Sequence, residues 1–354
     1  MVEHVLITGG AGFVGSHAAA YYNAKGVDVT VVDSRSREQM IADEPGRANT
    51  TKHNWQYLSD NCPDIALVEA DIRDADRMVD LVDGHDAIIH TAGQVAVTES
   101  LRNPRRDFDI NARGTLNILE AARAASTNPA VVFASTNKVY GENVNEIPVK
   151  EADTRYQFDS PQYADGIPES FPVDNTKHTP YGTSKLAADL YIQDYAQRGI
   201  VDAAAFRMSC IYGPRQFGTE EQGWLAHFIL SAIRDNQITV YGDGKQVRDV
   251  LFVDDLIRAY DAFLSDPAGK PSVYNIGGGP NRSVSLLEVL ERLSDIEGRE
   301  IDVTFEDWRQ GDQRVYITDT TRANETLDWS PRVDLETGIE RFIEWYTNTY
   351  GRIA

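Results

Sequence analysis

Two sets of residues in this chain have the types and spacing for chemistry. The first is the segment GGAGFVG, which puts Gly9, Gly12 and Gly15 between an apolar strand-like run and the mouth of a helix. Glycine there permits the tight turn, lets backbone approach a pyrophosphate, and lets helix and strand pack closely. The helix amino terminus adds N–H groups and the positive end of its dipole. Asp33 closes the next strand-like run at the distance where a carboxylate accepts hydrogen bonds from the ribose hydroxyls of a dinucleotide. The second set is YGTSK, with Tyr181 and Lys185 four apart on one face at a helix start. A phenol holds its proton to about pH 10. A neighbouring ammonium, joined by the positive ring of an oxidised nicotinamide, favours the phenolate and lowers that value. Tyr181 can then take a hydroxyl proton while hydride leaves the same carbon for the cofactor. Asp33 selects NAD, since a carboxylate repels a 2′-phosphate; Arg35 is the nearby residue that could hold one. Gly9, Gly12, Phe13, Val14, Gly15, Asp33, Ser34 and Arg35 are thus expected around the adenosine and pyrophosphate, with Tyr181 and Lys185 at the reactive ring.

These groups need a frame that carries them to one edge. Apolar runs at 4–8, 28–33, 65–71, 86–92, 130–135 and 202–207 alternate with helix-like stretches such as 114–125 and 184–196. That alternation predicts an α/β fold, a doubly wound parallel sheet of Rossmann-like type. Such sheets bind ligands beyond the carboxyl ends of their strands, where the polar motifs lie. A polar insertion at 34–61 and an irregular segment at 142–179 interrupt the pattern, the second of a length that is usually functional. From about Trp224, short strands at 237–242, 272–278 and 301–306 mix with helices near 286–295 and 335–350. The expected organisation is a dinucleotide domain over 1–207 and a smaller α/β substrate domain over 208–354 that caps the sheet edge, with room for returns to the first domain.

Composition narrows the function classes. The chain has 354 residues, 42% hydrophobic and 25% charged, ordinary for a globular protein. No apolar run is long enough to cross a bilayer. The amino terminus goes straight into a strand, without the basic flank and small-residue cleavage site of a signal peptide. A soluble, cytoplasmic protein is expected. Cys62 and Cys210 form no CxxC spacing, and the seven His show no HxxxH or HExxH pattern, so reduced thiols and no metal are expected. Thirty-four Lys and Arg against 55 Asp and Glu leave a net charge of −21, which argues against nucleic acid and anionic membranes as partners. The cations are 8 Lys and 26 Arg, an acidic, lysine-poor balance that keeps a surface soluble in strong salt.

The segments TGGAGFVGSH, HTAGQVAVTES, NARGTLNILEAAR, STNKVYG, TPYGTSKLAAD and VRDVLFVDDL resemble, almost from end to end, the extended short-chain dehydrogenase/reductase family in its nucleotide-sugar epimerase/dehydratase pattern. The resemblance implies an NAD-binding fold joined to a carboxyl-terminal nucleotide-sugar domain. It puts Asp71 and Ile72 beside the adenine, Ala92, Gln94 and Ser135 along the cofactor, and Asn111 in a structural role at the same site. The family position four residues before the Tyr of VYG carries a catalytic Ser or Thr, here Thr136, whose hydroxyl would share a sugar oxygen with Tyr181. In the 4,6-dehydratase branch that Thr is followed by Asp and Glu, which drive loss of water. Asn137 and Lys138 stand there instead. An amide cannot take the proton role of a carboxylic acid, and an ammonium cannot serve as the base. Dehydration is therefore disfavoured, leaving oxidation, reorientation of the ketone and return of hydride to the opposite face.

AGQVAVTES, STNKVYG, RQFGTEEQGW and GKQVRDVL resemble the branch that inverts C2 of a CDP-hexose through a 2-keto intermediate, with NAD kept bound. A UDP-sugar 4-epimerase uses the same Thr136, Tyr181 and Lys185 and stays open. So does a non-catalytic NAD-binding sensor, against which the intact Thr/Tyr/Lys set argues. Gln94, Thr136 and Lys138 are expected beside the sugar hydroxyls. In an acidic chain the substrate's diphosphate needs a local positive site, with Arg215, Arg248, Arg309 and Arg314 as candidates, because Arg grips phosphate oxygens with two parallel bonds. The resemblance supports Arg248 and Arg309 most directly; Arg314 has Asp312 as an alternative partner. Gln216 and Gln222 are candidates to read base or sugar, and Trp224 is expected in the core. The resemblance implies a homodimer through a four-helix contact that would match 105–125 and 184–196 here, although the apolar faces of these helices suit core packing equally.

Overall fold

The computed structural model of the chain describes residues 2–36, 50–309 and 311–351. Its centre is a sheet of seven strands, β1 (His4–Thr8), β2 (Asp28–Asp33), β3 (Ala66–Glu69), β4 (Ala87–His90), β5 (Ala130–Thr136), β6 (Ala203–Met208) and β7 (Val273–Ile276). They run parallel in the order β7-β6-β5-β4-β1-β2-β3. Alternate residues of each strand enter opposite cores, as the pleat demands. Val5, Ile7, Val31, Ile89 and Phe206 face one way, with Ala18, Ala19 and Tyr22 of the helix Phe13–Ala24 and Leu256 and Tyr260 of the helix Val253–Ser265. Leu6, Val32, Ile88, Val131 and Phe133 face the other, with Met78, Ile118, Leu119, Ala188 and Ile192. The winding direction reverses between β1 and β4, which opens a crevice at their carboxyl ends.

The first six strands fall where the apolar runs predict them. β7 differs: the run at 272–278, assigned by pattern to the carboxyl-terminal part, closes the central sheet beside β6. All four of its residues are buried, which a small solvent-facing sheet would not provide. The insertion at 34–61 contains a helix, Thr50–Asn61, whose buried residues are Thr51, Asn54 and Leu58. A helix that buries polar residues carries no apolar stripe to read; residues 37–49 lie outside those described. The segment 142–179 holds a short hairpin, Val149–Glu151 against Tyr156–Phe158, and a satellite core around Tyr140, Ile167, Phe171 and Tyr316. Further on, Val247–Phe252 pairs with Cys210–Tyr212, Ser283–Ser285 and Val315–Tyr316, and Ile238–Tyr241 pairs with Val303–Glu306. No described helix is long and apolar enough to cross a membrane.

One helix matters most for position. Pro180–Gln197 starts with Pro180 in its first turn and Thr179 as cap, whose hydroxyl accepts from the Gly182 N–H at 3.2 Å. The start is thereby fixed, and Tyr181 with it. Deeper in, Asp189 of this helix takes two bonds from Arg207 of β6, at 2.8 and 3.1 Å, and one from the Ser135 hydroxyl at 2.6 Å. Both partners of the ion pair are buried. Asp189→Ala should strand the guanidinium in the core and cost about 3–5 kcal/mol in urea unfolding. A loss below about 1 kcal/mol, the level of a surface pair, would contradict this.

Candidate active site

The carboxyl ends of β1 to β6 border a cleft of about 950 Å³, at the upper end for small-molecule sites. At one end lies the glycine turn. Gly9 has φ +68°, and a Cβ there would sit 2.5 Å from the Ala92 nitrogen; a Cβ at Gly15 would collide with the Gly9 carbonyl. The helix Phe13–Ala24 that follows has no side-chain cap and no acid in its first turn. Its first N–H groups are thus left for an anion. Asp33 is anchored at the cleft edge by the Ala11 and Arg35 N–H groups, at 3.1 and 2.8 Å. The Arg35 side chain lies over the Trp55 ring at 5.0 Å and 3.6 Å from Glu69, and is not among the residues lining the cleft. The group that could hold a 2′-phosphate is thus engaged with Trp55 and Glu69. Phe13, Val14, Ser34, Asp71, Ile72, Ala92 and Gln94 all line the cleft. Arg73 hydrogen bonds hold the Asp71 carboxyl below its ordinary range. A glycine turn, an uncapped helix and an anchored carboxylate fit NAD.

Ser135 lines the cleft too, but its hydroxyl is committed to Asp189. Gln94 is likewise committed: its side-chain NH₂ donates to Ala96 O at 2.8 Å and to Asp107 at 2.7 Å, and its carbonyl accepts from the Ala96 N–H. Asn111 ties this loop to its neighbours. It accepts from the Gln94 N–H at 2.9 Å and donates to Gln94 O and to the Ser184 hydroxyl, both at 3.0 Å.

Thr136, Tyr181 and Lys185 line the same cleft. Thr136 ends β5, and its hydroxyl accepts from the Lys138 N–H at 3.2 Å and bonds the Tyr181 phenol. Burial pushes that phenol up to about 12; the Thr136 bond opposes the rise and Asp107 adds to it. The same burial pulls the Lys185 ammonium down to about 7, against Asp189 and Asp107. Lys185 donates to Ala134 O at 2.6 Å and sits 4.0 Å above the Phe133 ring. A phenol lowered by Lys185 is thus not what the protein alone provides: burial sets the direction, and only the Thr136 bond works against it. Asn137 and Lys138 follow on the cleft wall. The half-buried Lys138 ammonium is pulled down by burial and then by Arg248, and has no ion pair among the described residues.

The candidate phosphate arginines scatter. Arg248 is buried near Lys138 and gives Nη2 to Asp312 at 2.5 Å and Nη1 to Val247 O at 2.8 Å. Asp312 therefore pairs with Arg248 and not with Arg314, which is exposed and lies over Tyr156; the buried guanidinium has the greater need of a counter-charge. Arg309 stacks on Tyr241 at 3.6 Å and donates to Glu220 O at 2.6 Å, behind a loop of the cleft wall. Arg215 stacks on Tyr57 at 4.2 Å, with left-handed backbone at φ +64°, and does not line the cleft. Gln216, Gln222 and Trp224 do line it. Trp224 packs against the core as expected, yet its indole N–H meets the Cys210 sulfur at 3.3 Å on the cleft wall. Sequence reasoning missed Arg73, Arg102, Arg106 and Arg234, which supply cations to the wall, and a bond across it from the Thr98 hydroxyl to Glu221 at 2.8 Å. No motif marks any of these.

Comparison with known proteins agrees with this geometry. The profile of the NAD dependent epimerase/dehydratase family matches residues 5–277. A CDP-paratose 2-epimerase of Salmonella typhi is 37% identical over 350 residues, 96% of this chain and 98% of its own. The solved UDP-glucose 4-epimerase of Thermotoga maritima, with UDP-glucose, aligns at TM-score 0.78 and 29% identity over 98% of this chain and 99% of its own. DesIV, a dTDP-glucose 4,6-dehydratase of Streptomyces venezuelae solved with NAD, aligns at TM-score 0.77 and 27% identity over 98% of each. Sequence and fold match over nearly the whole length, and the chain belongs to the NAD-dependent epimerase/dehydratase family of extended short-chain dehydrogenases/reductases.

Proposed function

We propose that this enzyme inverts C2 of a CDP-hexose through a transient 2-keto sugar, with NAD retained through the cycle. The observation that carries the proposal is a complete Thr136, Tyr181 and Lys185 set followed by Asn137 and Lys138, all on one cleft. Bound NAD supplies reversible acceptance of hydride from the sugar carbon. Tyr181 takes the hydroxyl proton as the carbinol C–O becomes C=O, and Thr136 holds the same oxygen. Once the ketone has turned over in the cleft, hydride comes back to its other face and Tyr181 returns the proton. The Lys185 ammonium favours the phenolate in the charged step. Lys138 donates to a neighbouring sugar hydroxyl, and with Asn137 leaves no carboxyl pair to expel water. Gln94 frames the site through its internal bonds. Arg248 and Arg309 remain the proposed diphosphate ligands, and Gln216 and Gln222 the proposed readers of base or sugar. Arg215, packed on Tyr57, and the exposed Arg314 stay candidates for the diphosphate role.

Similarity to the Salmonella 2-epimerase supports the CDP-sugar and C2. The Thermotoga 4-epimerase supports the second reading, C4 of a UDP-sugar. Incubation with CDP-, UDP- and GDP-hexoses in deuterated water, followed by NMR, separates them. C2 inversion of a CDP-hexose without solvent deuterium is expected. C4 inversion of a UDP-sugar would replace the proposal with the second reading, no turnover by NAD-loaded protein would favour a sensor, and deuterium at the inverted carbon would exclude the hydride route. In the same assay Tyr181→Phe should lose roughly a thousandfold in rate while still binding NAD; near-normal turnover would remove Tyr181 from its role.

A homodimer is proposed as well. Leu190 and Tyr191 on the helix Pro180–Gln197, with Leu101 and Phe108 on the short helices packed beside it, are exposed by 44–58%. Large apolar side chains exposed on neighbouring helices are a usual mark of association. The double change Phe108→Asp and Leu190→Asp should give a monomer in sedimentation velocity; a dimer that survives it would place the contact elsewhere.

A further inference from the structure

Asp107 has no part in the chemistry just described, yet it sits under it. It is 1% exposed, on the short helix Pro104–Phe108, and pairs with no cation among the described residues. Its carboxylate is nonetheless well used. One oxygen accepts from Gln94 Nε2 at 2.7 Å and Asn111 Nδ2 at 3.3 Å, the other from the Ser184 hydroxyl. These donors come from the loop after β4, the turn after Phe108, and the residue beside Lys185. A buried carboxylate is costly unless a cation offsets it; Lys185 acts on this one from beyond ion-pair distance, and a carboxamide could accept the Gln94 and Asn111 bonds equally well. The charge therefore calls for an account that the hydrogen bonds alone do not give.

We infer that Asp107 is a positioning residue of the reaction centre, which locks the Gln94 loop to the Ser184–Lys185 turn and sets the charge balance between Lys185 and Tyr181. The inference rests on the proton-transfer roles given above to those two residues. Asp107 faces both of them: it opposes the burial that strips the proton from Lys185, and it makes the Tyr181 phenol harder to ionise. Burial raises its own carboxyl, with the Ser184 bond first among the influences that restrain the rise. The other charged or titratable groups around the pair are fewer than the burial suggests. Asp189, on the same helix, is tied to Arg207 of β6. His90 of β4 is held down to about 3 by burial and so stays neutral. Arg106, next to Asp107, acts on Asp71.

The sign of the effect follows. Removing the Asp107 charge lets both Lys185 and Tyr181 lose protons at lower pH. The acid limb of the rate profile, set by the phenol, and the alkaline limb, set by the ammonium, then move the same way. Asp107→Asn is the clean variant: its oxygen can accept from Gln94 and Asn111, and its NH₂ can donate to the Ser184 oxygen, freeing that hydroxyl for Tyr181 O at 3.1 Å. In this variant both limbs of the kcat–pH profile should shift by roughly one unit toward acid. A lower rate with unmoved limbs would overturn the electrostatic part. Asp107→Ala, which also breaks the lock, should weaken NAD binding to the stripped protein by roughly tenfold in calorimetry, about one buried hydrogen bond. Unchanged NAD affinity would overturn the positioning part. If the Asp107→Asn profile is unmoved while Tyr181→Phe is inactive, this inference fails alone; if Tyr181→Phe turns over, the reading beneath it fails first.

Discussion

Loss of water around two groups of opposite demand governs the cleft. Tyr181 must give up a proton to act, and Lys185 must keep one. Burial works against both, driving the phenol up to about 12 and the ammonium down to about 7. The empty pair is therefore biased toward its uncharged form, with neither base nor countercharge developed. What opposes the bias is fixed charge nearby, because in a dry site each charge acts with little screening. Asp189 and Asp107 resist the loss of the ammonium proton without reversing the fall, and Asp107 also works against the phenolate. A positive group entering the cleft beside Tyr181 would favour the phenolate in turn. In the proposed reading, basicity then belongs to the loaded site, and the empty enzyme is spared a reactive phenolate.

β5 is the beam on which that pair is mounted. Four consecutive residues meet the helix that carries it. The Phe133 ring lies under the Lys185 ammonium, and the Ala134 carbonyl accepts from it. The Ser135 hydroxyl holds Asp189, and the Thr136 hydroxyl reaches Tyr181. Every residue of β5 is buried, so the strand cannot drift without opening both cores. The Thr179 cap and the Asp189–Arg207 pair then fix the helix at its start and its middle. Submicroscopic precision at the reacting atoms thus comes from ordinary packing several residues away.

Short-range features were the legible part of this chain. The glycine turn, the Asp33 anchor, the Tyr181–Lys185 spacing and the first six strands each need only local periodicity or sterics, which sequence carries directly. The arginines were not legible, because their partners lie far along the chain. Tyr57 covers Arg215, Asp312 claims Arg248, and Tyr241 underlies Arg309. A cation read from sequence announces a charge and not its neighbour. The direction of the Tyr181 shift was hidden for the same reason, since spacing shows the ammonium but not the depth of burial. The helix Thr50–Asn61 escaped because it buries Thr51 and Asn54, while β7 was legible as a strand but not as the neighbour of β6. Asp107 escaped because a five-residue helix gives no pattern against which an inward carboxylate stands out.

The acidic surface and an anionic ligand set a problem that the cleft wall resolves. A chain at −21 repels a nucleotide diphosphate at long range. Lys138, Lys185, Arg102, Arg106 and Arg234 line the wall beside acids such as Asp33, Asp71, Glu220 and Glu221, so attraction there is local to the cations. Salt treats these two fields differently. Exposed charges are screened beyond about 10 Å at 0.1 M and beyond about 3 Å at 1 M, whereas buried or half-buried ones keep most of their effect. Strong salt thus removes the repulsive approach and spares the attraction within. Charge composition and site chemistry become compatible in a saline medium, where neither has to be given up for the other.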